Sequence, residues 1–189
     1  MRKDQVNALK VGIAPNKAIP SLIFSGTFDN HMVSGDKKGT THSGLHLISG
    51  FVKDDDSALK AADIKANSSY TGRLDDHATT ITIKSVDLRA NTFVADVNIY
   101  GTAKESTFFP MGTTLDKAKE YIKAAWKDAC TYGSSAYGGG DVDIYKQMRT
   151  AFGLNWVGMA SISSQEIWVG CAHSGSVDTA FPAVNNKFS

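Results

Sequence analysis

Apolar residues recur along this chain in two rhythms, and each predicts a different kind of element. Between Thr113 and Ala129, Leu115, Ala118, Ile122, Ala125 and Ala129 return at steps of three and four. That spacing lines one face of an α-helix. Thr113 or Thr114 can cap it, with Asp116 in its first turn. Thr79–Leu88 alternates instead, with Ile81, Ile83 and, less strictly, Val86 on one side. Thr92–Tyr100 is rich in β-forming residues, and Arg89-Ala90-Asn91 between the two stretches suits a hairpin turn.

The rest of the pattern is coarser. Val6, Leu9, Lys10 and Ile13 suggest a short first helix that Pro15 and Pro20 would end. The stretch Ser25–Gly50 is rich in Gly, Ser and His, and the mostly apolar run Leu45–Val52 at its end reads as buried. Residues 54–77 and 133–143 read as polar loops. Ile144–Phe152 reads as a second short helix, and Asn155–Ala160, Glu166–Ala172 and Val177–Ala183 as closing strands. Strands, a helix, then strands in this order predict an α+β fold with antiparallel sheets.

Composition narrows this little. A chain of 189 residues with 42% hydrophobic and 21% charged residues is an ordinary globular length and mix. We expect one domain, with residues 1–24 as a lead-in segment and 25–189 as its body. The net charge is +1, from 20 Lys+Arg against 19 Asp+Glu. The broad basic excess of many nucleic-acid binders is therefore missing. Cys130 and Cys171 fit no zinc or CxxC spacing and read as small buried residues, their pairing left open. No apolar run approaches the roughly 20 residues of a membrane span, and the first residues do not read as a signal peptide.

Candidate chemistry concentrates in histidine. His77 follows Asp75-Asp76 and reads as solvated, and His173 precedes Ser174-Gly175 and reads as part of a turn. His31, His42 and His46 share the glycine-rich segment. Metal ligation by these three is one reading, but Ser43-Gly44 lies between His42 and His46 and no glutamate completes an HExxH pattern. General acid–base catalysis is another. Histidine titrates near neutral pH, so two of them can divide the acid and base tasks. Applied to RNA, such a pair would use the 2′-hydroxyl as nucleophile, with a cation to steady the charge gained at phosphorus.

Three blocks carry a family resemblance. His31-Met32-Val33-Ser34-Gly35-Asp36 and Gly44-Leu45-His46-Leu47-Ile48-Ser49-Gly50 resemble the paired-histidine region of EndoU nucleases, with 46 − 31 = 15 residues between the histidines. Lys104-Glu105-Ser106-Thr107-Phe108-Phe109-Pro110, followed by the amphipathic helix, is similar to the lysine-to-helix junction of bacterial EndoU domains. Gly175-Ser176-Val177-Asp178-Thr179-Ala180-Phe181-Pro182 resembles the family's closing Thr-x-Tyr-Pro strand, with phenylalanine in place of tyrosine.

The resemblance implies two small antiparallel sheets flanking a cleft, with helices packed outside. It implies His46 as general base, His31 as general acid and Lys104 as the catalytic lysine, preferred over Lys84. It places the Gly44 amide and Thr179 at the phosphate, Ser106 or Thr107 at the base, and Phe181 where a nucleobase stacks. It implies metal-independent cleavage of RNA, with transfer RNA the expected target, to 2′,3′-cyclic phosphate and 5′-hydroxyl ends, and no cofactor. The bacterial branch further implies an interbacterial toxin domain, of the kind used in contact-dependent growth inhibition. Such a domain is secreted or delivered, acts in the target-cell cytoplasm and is blocked by a cognate immunity protein. The alternatives at this point are an inactive EndoU-fold RNA- or protein-binding module and a His-ligated metal hydrolase.

Overall fold

The computed structural model describes residues 3–162, 165–173 and 176–183. Within them the chain is α+β, with α-helices and three antiparallel sheets of two, three and five strands. It divides into two compact units, Gly26–Ala118 and the combination of residues 1–25 with 119–189. No described helix is long and apolar enough to cross a membrane.

The unit Gly26–Ala118 opens with α2 (Phe28–Val33), which follows α1 (Lys3–Leu9) of the other unit. A small hairpin, β1 (Asp36–Lys38) and β2 (Thr41–Ser43), comes next. Then β3 (Val52–Lys53), β4 (Ser69–Leu74), β5 (His77–Asp87), β6 (Thr92–Ile99) and β7 (Thr102–Phe108) form one sheet in sequence order. The period of two explains it. Ile81 and Ile83 on β5, Phe93, Ala95, Val97 and Ile99 on β6, and Phe108 on β7 bury one face. Leu45, Ile48, Phe51, Leu59 and Leu74 cover that face, and the Phe93 and Phe108 rings stack 4.9 Å apart. The Leu45–Val52 run is thus core, as its composition predicts. Residues 54–77 are not one loop: β4 lies within them, exposing mostly polar side chains and burying only Leu74.

In the other unit α3 (Leu115–Tyr132), which begins one turn before the boundary, presents Ile122, Ala125 and Ala129 as its buried face. Thr114 supplies the cap, its Oγ1 accepting from Lys117 N at 3.2 Å. Helix α4 (Asp143–Phe152) ends on Gly153, whose φ of 64° is the left-handed stop that favours glycine. β8 (Trp156–Ile162), β9 (Gln165–Cys171) and the two-residue β10 (Phe181–Pro182) form the three-stranded sheet. The expected strand Val177–Ala183 shortens to β10, because Val177 instead bridges Phe24. Cys130 and Cys171 are free and buried.

A satisfied polar cluster pins the N-terminal segment to this unit. Asp128 accepts from Lys10 Nζ (2.7 Å), Tyr145 OH (2.5 Å) and Met159 N (2.7 Å). Asn16 Nδ2 donates to Cys130 O and Tyr137 O, and Trp126 Nε1 to Pro20 O. Every oxygen of that carboxylate is engaged, so the cluster reads as a tie and not as a reactive site.

Candidate active site

The glycine-rich segment folds by doubling back on α2. Phe28 and Met32, one helical turn apart, bury that helix's inner face and leave His31 beside it. Ser34 N and Gly35 N both return to Asn30 O, ending the helix. The β1–β2 hairpin then reverses the chain. At Gly44 (φ 75°) and Leu45 (φ 61°) the backbone turns left-handed and runs directly against His31. A side chain at Gly44 would collide with His31 O and stand 2.7 Å from His31 Cδ2, so only glycine fits. Leu45 N donates to His31 O (2.7 Å), and His46 N and Leu47 N donate to Met32 O (2.9 and 3.0 Å). Main-chain bonds, not side chains, therefore set the two histidines side by side.

Strand β7 closes the site from below. Its alternation points Lys104, Ser106 and Phe108 one way and Ala103 and Glu105 the other. Lys104 Nζ donates to Gly44 O at 2.6 Å. Ser106 Oγ, with its residue 4% exposed, donates to Leu45 O at 2.8 Å. Its hydroxyl is spent holding the turn. His46 Nδ1 lies 2.7 Å from Thr107 O, and Phe109 N donates to His46 O at 3.1 Å. A carbonyl only accepts, so Nδ1 carries the hydrogen and Nε2 the lone pair of the neutral ring. Ser106 Oγ is a second neighbour of Nδ1 at 3.3 Å.

The electrostatics follow from burial. His46 is 6% exposed, and desolvation, reinforced by the Lys104 charge, pushes its proton affinity down to about 3 from 6.5. It is neutral throughout the physiological range. Desolvation also brings Lys104 down to about 8 from 10.5, leaving it charged at neutral pH. His31 Nδ1 meets Asp36 Oδ2 at 2.6 Å, which fixes its ring and its Nδ1–H tautomer. The His31 hydrogen bond holds the Asp36 carboxyl below the usual carboxylate range. Asn30 Nδ2 steadies the other carboxylate oxygen at 3.3 Å. Asp36 was not among the residues expected to act. It lies five positions after His31, past the end of α2 at the start of β1, so no helical spacing points to it.

His31, Gly44, His46, Lys104, Ser106 and Thr107 thus come together in one unit. Thr179 and Phe181 belong to the other. There Thr179 Oγ1 is buried with no hydrogen-bond partner among the described residues. Phe181 is half-buried and packs on the cluster of Ile144, Tyr145, Leu154 and Val157. Gly175, which opens that third block, lies outside the described residues. Both lysines sit within strands, but Lys84 is on the opposite face from Lys104, paired with Glu105 (2.5 Å) and Asp96 (3.7 Å). Among the described residues no three His, Cys, Asp or Glu side chains group as a metal site. His42, 7% exposed, turns Nε2 to Ser34 O at 3.4 Å instead.

Comparison with known families, with curated proteins and with solved structures finds no match for this chain.

Proposed function

We propose that the chain is an EndoU-type endoribonuclease that cuts RNA by 2′-hydroxyl transesterification. The observation that carries this reading is the convergence at Gly44 of a neutral buried imidazole, a carboxylate-oriented imidazole and a half-buried ammonium. Those three groups match the three demands of the reaction. His46 Nε2 takes the proton of the 2′-hydroxyl as its oxygen bonds to phosphorus. His31 acts as the imidazolium, its Nδ1–H held on Asp36, and gives its Nε2 proton to the departing 5′-oxygen as the P–O5′ bond breaks. Lys104 offers its two remaining donors to the phosphoryl oxygens, where charge accumulates. The products are a 2′,3′-cyclic phosphate and a 5′-hydroxyl, and no metal enters any step.

A base pushed to about 3 is weak in the empty site. The bound phosphodiester carries a negative charge beside Lys104. That charge offsets the part of the lowering that Lys104 causes, the smaller part beside desolvation, and proton affinity rises by that part on binding. The fine features of the family, a cleft between sheets and recognition through Thr179 and Phe181, belong to this proposal. So do transfer RNA as substrate, delivery as an interbacterial toxin and restraint by an immunity protein.

The test is digestion of a defined RNA by the wild-type chain and by His46→Ala, each with and without EDTA. We expect cleavage by the wild type alone, unchanged by chelation, with cyclic phosphate ends, and no cleavage where the scissile nucleotide is 2′-deoxy. Activity lost in EDTA and restored only by a divalent ion would replace this reading with metal-dependent hydrolysis.

A further inference from the structure

A second cluster in the same unit is not used by this chemistry. The turn joining β6 to β7 is Tyr100-Gly101, with φ of 57° and 73°. Such turns take asparagine and glycine readily, whereas a tyrosine there is strained. Strain of this kind persists where the surrounding structure over-determines it, and it collects at functional sites. The ring it displays is half-buried and surrounded. The His77 ring lies 4.4 Å away, the His42 ring 5.9 Å away, and Lys37 Nζ stands 5.4 Å over the tyrosine ring. These four come from β1, β2, β5 and the β6–β7 turn. His77 and Lys37 are exposed. Two acidic residues, Asp75 and Asp76, immediately precede His77, and Asp36 neighbours Lys37 in sequence.

His42 links this cluster to the proposed reaction centre. It contacts the Tyr100 ring and is also close enough to Lys104 and His31 to feel their charge. Tyr100 precedes Lys104 by four residues across the turn into β7, and His42 neighbours both, so an RNA strand held at Lys104 can extend a neighbouring nucleotide toward Tyr100.

We propose that Tyr100, backed by His77 and His42 and flanked by Lys37, is a subsite for an unpaired nucleobase outside the two that border the cut. The base stacks on the Tyr100 ring beside the tilted His77 ring, and Lys37 turns from over the ring to the adjoining phosphate. Unpaired RNA bases stack on tyrosine and histidine rings, and such stacking tolerates any base. The subsite gives the enzyme affinity for single-stranded segments without a broad basic surface, in keeping with a net charge of +1. It rests on the nuclease reading for its placement, but not for its test.

The probe is a mixed-sequence 2′-O-methyl RNA hexamer with a 5′-fluorescein, which binds but cannot be cut. Its affinity is read by anisotropy for the wild type, Tyr100→Phe, Tyr100→Asn, His77→Ala and Lys37→Ala. Asparagine suits the left-handed turn, so Tyr100→Asn removes the ring without straining the backbone. Tyr100→Asn should weaken binding roughly tenfold and Tyr100→Phe hardly at all. His77→Ala, at an exposed position, should show a smaller loss, and Lys37→Ala should flatten the salt dependence by about one phosphate contact. Cleavage of a dinucleotide, which has no base for the subsite, should stay at the wild-type rate in all four variants. Hexamer binding equal to wild type in both Tyr100→Asn and His77→Ala overturns the proposal, and so does a wild type that does not bind the hexamer. If the wild type binds through Tyr100 but cuts no RNA, the subsite stands and the nuclease reading falls. If it cuts RNA with Tyr100 irrelevant, the reverse holds.

Discussion

Lys84 and Lys104 stand on opposite faces of one sheet, and their surroundings differ in kind. Lys84 is 46% exposed and meets two carboxylates, Glu105 and Asp96. Those partners raise its proton affinity. Among the described residues Lys104 meets a single backbone carbonyl in a half-buried corner, and burial lowers its affinity to about 8. The first lysine has its charge answered by the protein; among the described residues nothing answers the charge of the second, which stands beside two histidines. A group prepared for an anionic substrate shows this second pattern, since an ion pair already made leaves little to offer a phosphate.

The widest gap between the faces should appear in the histidines that Lys104 adjoins. His46→Ala and His31→Ala should each lower single-turnover cleavage by about 10²–10⁴-fold, with circular dichroism unchanged. Near-native rates in either would dissolve the contrast. Next, Lys104→Ala should cost about 10²–10³-fold, while Lys84→Ala leaves cleavage and Tm within experimental scatter. The opposite ranking would mean that the solvent face carries the chemistry.

The two faces should also titrate differently. The proposed reaction needs the Lys104 ammonium, so the rate should fall as pH rises through about 8, where that group loses its proton. Lys104→Arg, charged at every accessible pH, should remove the fall; a fall that persists would assign it elsewhere. On the acid side stability should respond through His46. Its folded value of about 3 lies below the unfolded 6.5, so the unfolded chain binds the proton first. The stability His46 contributes is complete above pH 6.5 and is lost as pH falls from there to about 3. Denaturant titrations across that range should show a shallower acid decline in His46→Ala.

The smallest effect tests the inner neighbour of both regions. His42 keeps Nδ1 buried without a partner among the described residues, an arrangement that favours an apolar replacement of similar size. His42→Leu should hold or raise Tm and leave dinucleotide cleavage near wild type. A large loss of either would show that His42 is engaged in a way the geometry does not reveal.

How much of this was legible beforehand depended on whether a residue served packing or chemistry. The strands β5 and β6 and the helices α3 and α4 announce themselves through periodic apolar positions, and β8 and β9 through short, mostly apolar runs. Strand β7 does not. Its inward positions include Lys104 and Ser106, so the alternation that would reveal a strand is hidden by the residues that make the site. Helix α2 is six residues long and offers one apolar pair, Phe28 and Met32, too little for a period. The β1–β2 hairpin and β4 rest on backbone pairing with few buried side chains. Asp36 and the Thr107 carbonyl act through contacts made only by the folded chain, and a carbonyl leaves no mark in a sequence at all.

The tie between Lys104 and Gly44 also has a meaning in time. The histidines are joined by a stretch of 46 − 31 = 15 residues, whereas the Lys104–Gly44 bond closes one of 60. Closing the longer loop costs about 1.2 kcal/mol more in chain entropy, two doublings at about 0.6 each. During synthesis at roughly 5–20 residues per second, β7 follows the histidine segment by several seconds. The two histidine segments can meet early, but Lys104 and the Thr107 carbonyl that orients His46 both arrive with β7. On the proposed nuclease reading, the reactive groups of a nascent chain are complete only once β7 has docked.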